Sequence, residues 1–315
     1  MNSYKVGFLL TRCYIQKPIS LGPETQVTPL SPTGTKGDLI CARDLLKAIG
    51  VPFSGTDLAI AIKLFQQSGQ TVHLSLPNLE AQTYIAAIES SHLKMESAAG
   101  ALSVISGNPV VPLCSYAESS TGTGSGKKFY IPNDRLIKHA INIPGFLDAL
   151  PDLYNSALKE PKLQLLLRLY RASLREYEID NQILFQLILF EEASDGESGS
   201  LAEKVRAFAT AKNFLGDINS LAEELNFKLP PGKDVVDILV KLRNAAAHNG
   251  EITDKGLLEF NGGWVVPLIL DKVNLHKLIG ESIRYMFCAL VGHSREKKAK
   301  EILIPNGGSF PIKFE

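Results

Sequence analysis

The chain has 315 residues, 45% hydrophobic and 21% charged, and its 33 Lys and Arg residues balance 33 Asp and Glu residues. This composition is typical of a globular protein, and neutrality argues against a protein that coats nucleic acid through a general positive charge. No apolar run approaches the roughly 20 residues needed to cross a bilayer, and the first 30 residues lack a secretion signal. We therefore expect a cytoplasmic protein with no membrane partner, and the length favours two domains.

The first part of the chain mixes strand and helix patterns. We predict strands at residues 4–15 and 71–76, a hairpin from 110–114 and 128–131, and loop over most of 18–37. Apolar residues at helical spacing predict helices over 38–50, 57–67 and 78–106, the last with a break near residues 90–91. Residues 1–132 are thus expected to form an α+β module.

The character of the sequence changes at residue 133. Helical periodicity predicts helices over 144–159, 161–177, 180–193, 201–214, 217–227, 234–249 and 273–290. Between the last two, apolar runs flank Asn261-Gly262-Gly263, which favours a short hairpin over residues 257–268. Residues 133–315 are thus expected to form an all-α domain with one decorated loop.

A glycine-rich segment, Thr121–Lys128, superficially resembles a phosphate-binding loop. The Walker pattern requires Gly at its first position and Ser or Thr after its Lys. Here Thr121 and Lys128 occupy those positions, and Phe-Tyr-Ile-Pro follows instead of a helix N-terminus that could hold phosphate. The sequence therefore favours a flexible loop over a nucleotide site of this type.

An unusual polar cluster ends the predicted helix 234–249, which Asp234 is expected to cap. It reads Arg243-Asn244-Ala-Ala-Ala-His248, followed by Asn-Gly. Residues five apart on a regular helix diverge by about 140°, so Arg243 and His248 separate unless the helix ends between them or a second chain completes the site. The structural alternative is that both cations simply cover a helix C-terminus, where positive charge is favourable.

Two other features could carry chemistry. Arg168, Arg171 and Arg175 form a stripe on the predicted helix 161–177, which is either a solvated face or a contact for an RNA backbone. The remaining histidines and the four cysteines lack partners at ligand spacing, and no hydrolase or metalloprotease motif is present. The sequence predicts neither a metal site nor a cofactor.

The Arg243-Asn244-x-x-x-His248 array, late in a helical region, resembles the Arg-x(4–6)-His motif of HEPN domains, many of which are ribonucleases. The helical resemblance covers roughly residues 144–293. With an α+β module ahead of it, the chain is loosely similar to the ApeA-like bacterial HEPN nucleases. The resemblance implies a homodimer whose two copies form a composite site.

The resemblance and the residue types together indicate a function. Imidazole can move protons near neutral pH, and guanidinium offers fixed donors to phosphate oxygens. We expect a metal-independent endoribonuclease in which Arg243 and His248 carry the chemistry, Asn244 supports it, and Arg171 and Arg175 bind RNA. It would be a toxin or phage-defence effector, with residues 1–132 as sensor or substrate guide and any regulatory partner undefined. The alternatives are a non-catalytic HEPN-like module that binds nucleotide or protein, and a purely structural dimer.

Overall fold

A computed structural model describes residues 1–30, 71–130, 146–293, 301–303 and 309–311, except residues 14, 16, 122, 123, 177, 250, 260, 261 and 270. The chain divides into two compact units, Met1–Leu167 with Lys298–Glu315, and Arg168–Lys297. An antiparallel sheet comes first and a helical region follows, which confirms the expected order of an α+β region and a helical region. The predicted domain boundary at residues 132 and 133 lies outside the described residues, as do the helices predicted at 38–50 and 57–67.

The first unit is built on an antiparallel sheet. In spatial order its strands are β2 (Ile19–Gly22), β3 (Thr25–Pro29), β4 (Thr71–Ser75), β1 (Asn2–Thr11), β6 (Val111–Ser119) and β7 (Ser125–Phe129). Strand β5 (Leu79–Ala81) pairs with the start of β1. The predicted strands β1 and β4 and the β6–β7 hairpin are confirmed, and β2 and β3 occupy part of the stretch expected to be loop. A separate hairpin joins β8 (Glu301–Leu303) and β9 (Ser309–Pro311).

The described residues of the first unit also form helices. They are α1 (Tyr84–Ser90), α2 (His92–Ser106), α3 (Leu150–Lys159), which follows a 3-10 turn, and α4 (Pro161–Ser173), which continues into the second unit. Ser91 separates α1 from α2, which confirms the predicted break. Helix α3 packs on α2 and β2, and the Asn155 Nδ2 donates to the Leu21 carbonyl at 2.7 Å. The first predicted helix after residue 133 therefore belongs to the sheet unit.

The second unit is helical. It contains α5 (Ile179–Ala193), α6 (Leu201–Ala211), α7 (Leu215–Glu224), α8 (Val235–Asn249), α9 (Asp254–Glu259), α10 (Val266–Ile269) and α11 (Lys272–Leu290). Helix α11 packs against α5 and α7, and α8 packs against α5, α6 and α9. Among the described residues, none of the helices has the length and apolarity that spanning a membrane requires.

The hairpin predicted over residues 257–268 is wrong, because the described residues there are helical. The Thr253 Oγ1 accepts the Gly256 N–H at 3.2 Å and starts α9, which buries Leu257. The Gly262 N–H then donates to the Leu257 carbonyl at 2.7 Å, and a 3-10 turn leads into α10. Gly262 thus lies between two helical segments and not between two strands.

A buried polar pair lies in the sheet of the first unit. The His73 Nε2 and the Tyr116 hydroxyl share a hydrogen bond of 2.8 Å, although β1 runs between their strands. Gly7 of β1 faces Tyr116 in the register, and a Cβ at residue 7 would overlap the phenol ring. The glycine therefore lets Tyr116 reach across β1. Burial, aided by the charge of Lys5, lowers the pKa of His73 to about 4.

This pair predicts a pH dependence of stability. In the unfolded chain His73 binds a proton below about pH 6.5, whereas in the folded chain it binds one only below about pH 4. The free energy of unfolding therefore falls as the pH decreases from 6.5 to 4. The loss from His73 amounts to about 3 kcal/mol at pH 4. Denaturant unfolding at several pH values should show a shallower pH dependence for His73→Gln than for wild type. The exposed His92, changed to Gln, is the matched control for the loss of one histidine. Equal slopes for all three proteins would contradict the assignment.

Candidate functional site

Helix α8 carries the polar cluster that the sequence singled out. One face of this helix is buried. It consists of aliphatic and alanine side chains, which are Val235, Val236, Ile238, Leu239, Leu242, Ala245 and Ala246. Neighbouring helices α5, α6 and α9 cover that face. Since the apolar residues recur at helical spacing, the polar residues between them are forced to the rim and the outer side.

The start of α8 is held by a network of charges and amides. The Asp234 carboxylate accepts the Asp237 N–H at 3.1 Å and the Asp237 carboxylate accepts the Asp234 N–H at 3.1 Å, so Asp234 is the N-cap, as predicted. Arg206 of α6 donates to both oxygens of Asp234, at 2.7 and 3.1 Å. Burial would raise the pKa of Asp234, but the hydrogen bonds from Arg206 and Asp237 outweigh it and hold that pKa below its ordinary value.

Arg243 is held by a carboxylate that the sequence analysis missed. Its Nε donates to Glu191 at 3.1 Å and its Nη2 donates to both Glu191 oxygens, at 3.1 and 2.8 Å. Glu191 lies near the end of α5, 52 residues before Arg243. The pair is partly solvated, with 28% of the Arg243 side chain and 42% of the Glu191 side chain exposed. Glu191 thus orients one side of the guanidinium, while Nη1 faces Asn244 at 3.5 Å.

His248 lies on a different side of α8 from Arg243. The helix is continuous through Asn249, so it does not end between the two residues. Five residues of regular helix place them about 140° apart. His248 is exposed and is one turn beyond Asn244, which puts those two side chains on one face. The structure therefore places Asn244 next to Arg243, and it places Asn244 and His248 on the same face of α8. Arg243 and His248 lie on different sides of the helix.

The two arginines predicted to bind RNA lie on another element. Helix α4 ends at Ser173, earlier than predicted, so Arg171 is in its last turn and Arg175 lies beyond it. Arg171 is half-buried, whereas Arg175 is exposed and its backbone N–H donates to the Ala172 carbonyl at 3.0 Å. The regular stripe expected from Arg168 to Arg175 is therefore shortened.

An acidic groove adjoins the ion pair on the side of Glu191. It has a volume of about 500 Å³ and is lined by Ile188, Glu191, Glu192, Asp195, Gly199, Leu201 and Lys204. Its negative charge repels phosphate. The described residues contain no group of three or more His, Cys, Asp or Glu side chains that could hold a metal ion.

The capping network predicts the effect of removing Asp234. Asp234→Ala leaves the Asp237 N–H and Arg206 without their acceptor, and should lower the free energy of unfolding by about 1–2 kcal/mol. Asp234→Asn keeps a capping oxygen and should lose less. Urea denaturation of both variants measures the effect, with the exposed Glu223→Ala as a carboxylate control expected to stay near wild type. Equal losses for the Ala and Asn variants would show that the ion pair, not the cap, stabilises the helix start.

Comparison with known proteins gives no relative for this arrangement: no protein-family model, no curated protein and no solved structure matches the chain.

Proposed function

We propose that the chain is a metal-independent endoribonuclease that acts as a homodimer, with Arg243 and His248 as its catalytic residues and Asn244 as a supporting residue. The observation that carries the proposal is the placement of all three polar residues on the rim and outer side of one well-packed helix. His248 is exposed and the half-buried Asn244 shares its face, so an RNA substrate can approach this face from solvent.

The proposed reaction needs only proton transfer and charge stabilisation. One imidazole accepts the proton of a ribose 2′-OH, and the 2′ oxygen attacks the adjacent phosphorus. The bond from phosphorus to the 5′ oxygen breaks, and that oxygen takes a proton from a second imidazole. Arg243 donates hydrogen bonds to the phosphorane oxygens, and the products are a 2′,3′-cyclic phosphate and a 5′-hydroxyl.

The geometry of α8 supports a composite site. Each chain has one His248, and it points about 140° away from the Arg243 of the same helix. Two proton transfers and a guanidinium at one phosphate are most simply supplied when a two-fold axis brings a second α8 to the first. The substrate would approach on the side of Asn244 and His248, because the acidic groove beside Glu191 repels its backbone. Arg171 and Arg175 are the proposed backbone contacts.

A non-catalytic binding module is the second candidate. The bidentate contact between Arg243 and Glu191 favours it, because an arginine engaged by a carboxylate can be structural. This candidate predicts RNA, nucleotide or protein binding without cleavage.

The central prediction concerns His248. His248→Ala should reduce cleavage of single-stranded RNA in EDTA by a factor of about 100 or more, because general acid–base catalysis contributes on that order. A gel assay that resolves cyclic-phosphate termini measures the rate, and His293→Ala is the control histidine outside the motif. Cleavage per chain should also fall on dilution below the dimer dissociation constant, measured by sedimentation.

Two results would overturn the nuclease proposal. One is equal cleavage by wild type and His248→Ala, since another protein or another site would then be responsible. The other is no cleavage of any RNA by a wild-type protein that sedimentation shows to be dimeric, which would favour the binding module.

Glu191 allows a sharper test of the role of Arg243. If Glu191 holds the guanidinium so that Nη1 faces the substrate, Glu191→Ala should lower kcat about tenfold. The same change removes a negative charge beside the site, so KM for RNA should fall. Glu192→Ala removes an equivalent charge from the same groove without touching Arg243, and it should lower KM alone. A Glu191→Ala variant with unchanged kcat would exclude this positioning role.

A further inference from the structure

A groove in the first unit lies between helix α1 and strand β7, far along the chain from the motif of α8. Its volume of about 570 Å³ falls within the range of small-ligand sites. The lining residues are Tyr84, Ile85, Ile88, Glu89, His92, Lys127, Lys128 and Tyr130. Among the strands of the described residues, β7 is the last on its side of the sheet.

Aromatic rings form part of the wall. Tyr84 packs directly on Gly126 of β7, where a Cβ would overlap the ring, so a glycine at this position allows the ring to lie against the strand backbone. Tyr130 follows β7, and its hydroxyl lies 3.3 Å from the Ser115 Oγ on β6. Both rings are partly exposed, and Ile85 beside them is 52% exposed. The groove therefore offers flat, apolar surface to a planar ligand.

Positive charge accompanies these rings. Lys127 and Lys128 outnumber the one carboxylate of the lining, Glu89. The Lys128 Nζ lies 5.2 Å from the centre of the Tyr130 ring, so an ammonium group sits over an aromatic face. His92 adds a second kind of donor, and its Nε2 lies 4.0 Å from a Glu96 oxygen. A ligand that fits this lining has a planar aromatic part and a nearby anionic group.

We propose that this groove, defined by α1 and β7, binds a nucleotide: the base packs against Tyr84 and Tyr130, and the phosphate contacts Lys127 and Lys128. Aromatic rings beside lysines are the combination with which proteins hold single-stranded nucleic acid and free nucleotides. The same lysines belong to the glycine-rich segment that fails the Walker pattern. Gly126 and the residues that follow it belong to strand β7 and not to a helix, so phosphate is held here by side-chain ammonium groups and not by a helix N-terminus.

The proposal is independent of cleavage at α8. A free nucleotide would make the first unit a sensor, and the end of an RNA strand would make it a substrate guide. Both sources present the same base and phosphate, and a binding experiment separates them.

The experiment is isothermal titration of the full-length protein with AMP, UMP, uridine, inorganic phosphate and a 2′-O-methylated RNA pentamer, which cannot react by 2′-OH attack. Saturable binding of the mononucleotides, of the pentamer, or of both is expected.

The double variant Lys127→Gln with Lys128→Gln should weaken this binding about tenfold or more. The double variant Lys127→Arg with Lys128→Arg keeps both positive charges and should bind like wild type. Tyr84→Ala should weaken nucleotide binding about tenfold and leave any phosphate binding unchanged. The double change Lys212→Gln with Lys228→Gln, at two exposed lysines of the second unit, is the charge-matched control.

Each outcome either identifies the ligand or overturns a proposal. Binding of the mononucleotides alone identifies a free nucleotide as ligand, and binding of the pentamer alone identifies RNA. Absence of saturable binding to every probe overturns the proposal, as does equal weakening by the two double variants or a Tyr84→Ala variant that binds nucleotide like wild type. Nucleotide binding without RNA cleavage would refute the nuclease alone, and cleavage without binding in this groove would refute the groove alone.

Discussion

Burial of the apolar face of α8 is the constraint on which the candidate site depends. Seven residues of that face pack against other helices, and this packing fixes the rotation of α8 about its own axis. Once the rotation is fixed, the direction of each polar residue follows from the helical period. Asp234 and Arg206 prevent fraying at the start of the helix, and Glu191 orients Arg243 near its end. The outward face of α8 therefore carries Asn244 and His248.

Much of the fold could be predicted from the sequence, because apolar periodicity reports directly which side of an element is buried. The helices α5 to α8 and α11, the break at Ser91 and the N-cap Asp234 all follow from that periodicity or from local capping chemistry. The hairpin over residues 257–268 failed for a physical reason. Glycines mark a turn but do not determine what the turn connects, and the cap by Thr253 and the burial of Leu257 and Val265 made helices on both sides.

The candidate site was predictable only in part. Arg243, Asn244 and His248 could be selected because they interrupt an apolar helix at one end. Glu191 could not, since an acidic residue near the end of α5 resembles any solvated charge until tertiary packing brings it to Arg243 across 52 residues of sequence. The α1–β7 groove was hidden for the same reason. Tyr84 and Lys128 lie in separate elements, and the tertiary packing that brings Tyr84 onto Gly126 makes them neighbours.

The neutral net charge takes on a different meaning once the charges are placed. The lining of the α1–β7 groove has two lysines and one carboxylate, and the lining of the groove beside Glu191 has three carboxylates and one lysine. The electrostatic field of a neutral chain cancels at long range, but a local potential remains near each charged patch. Screening in physiological salt limits the reach of that potential to about 8–10 Å. Neutrality therefore excludes long-range attraction of a polyanion but not its recognition at short range. A chain without net charge can still bind phosphate where a lysine or arginine lies beside an aromatic ring or an exposed polar side chain.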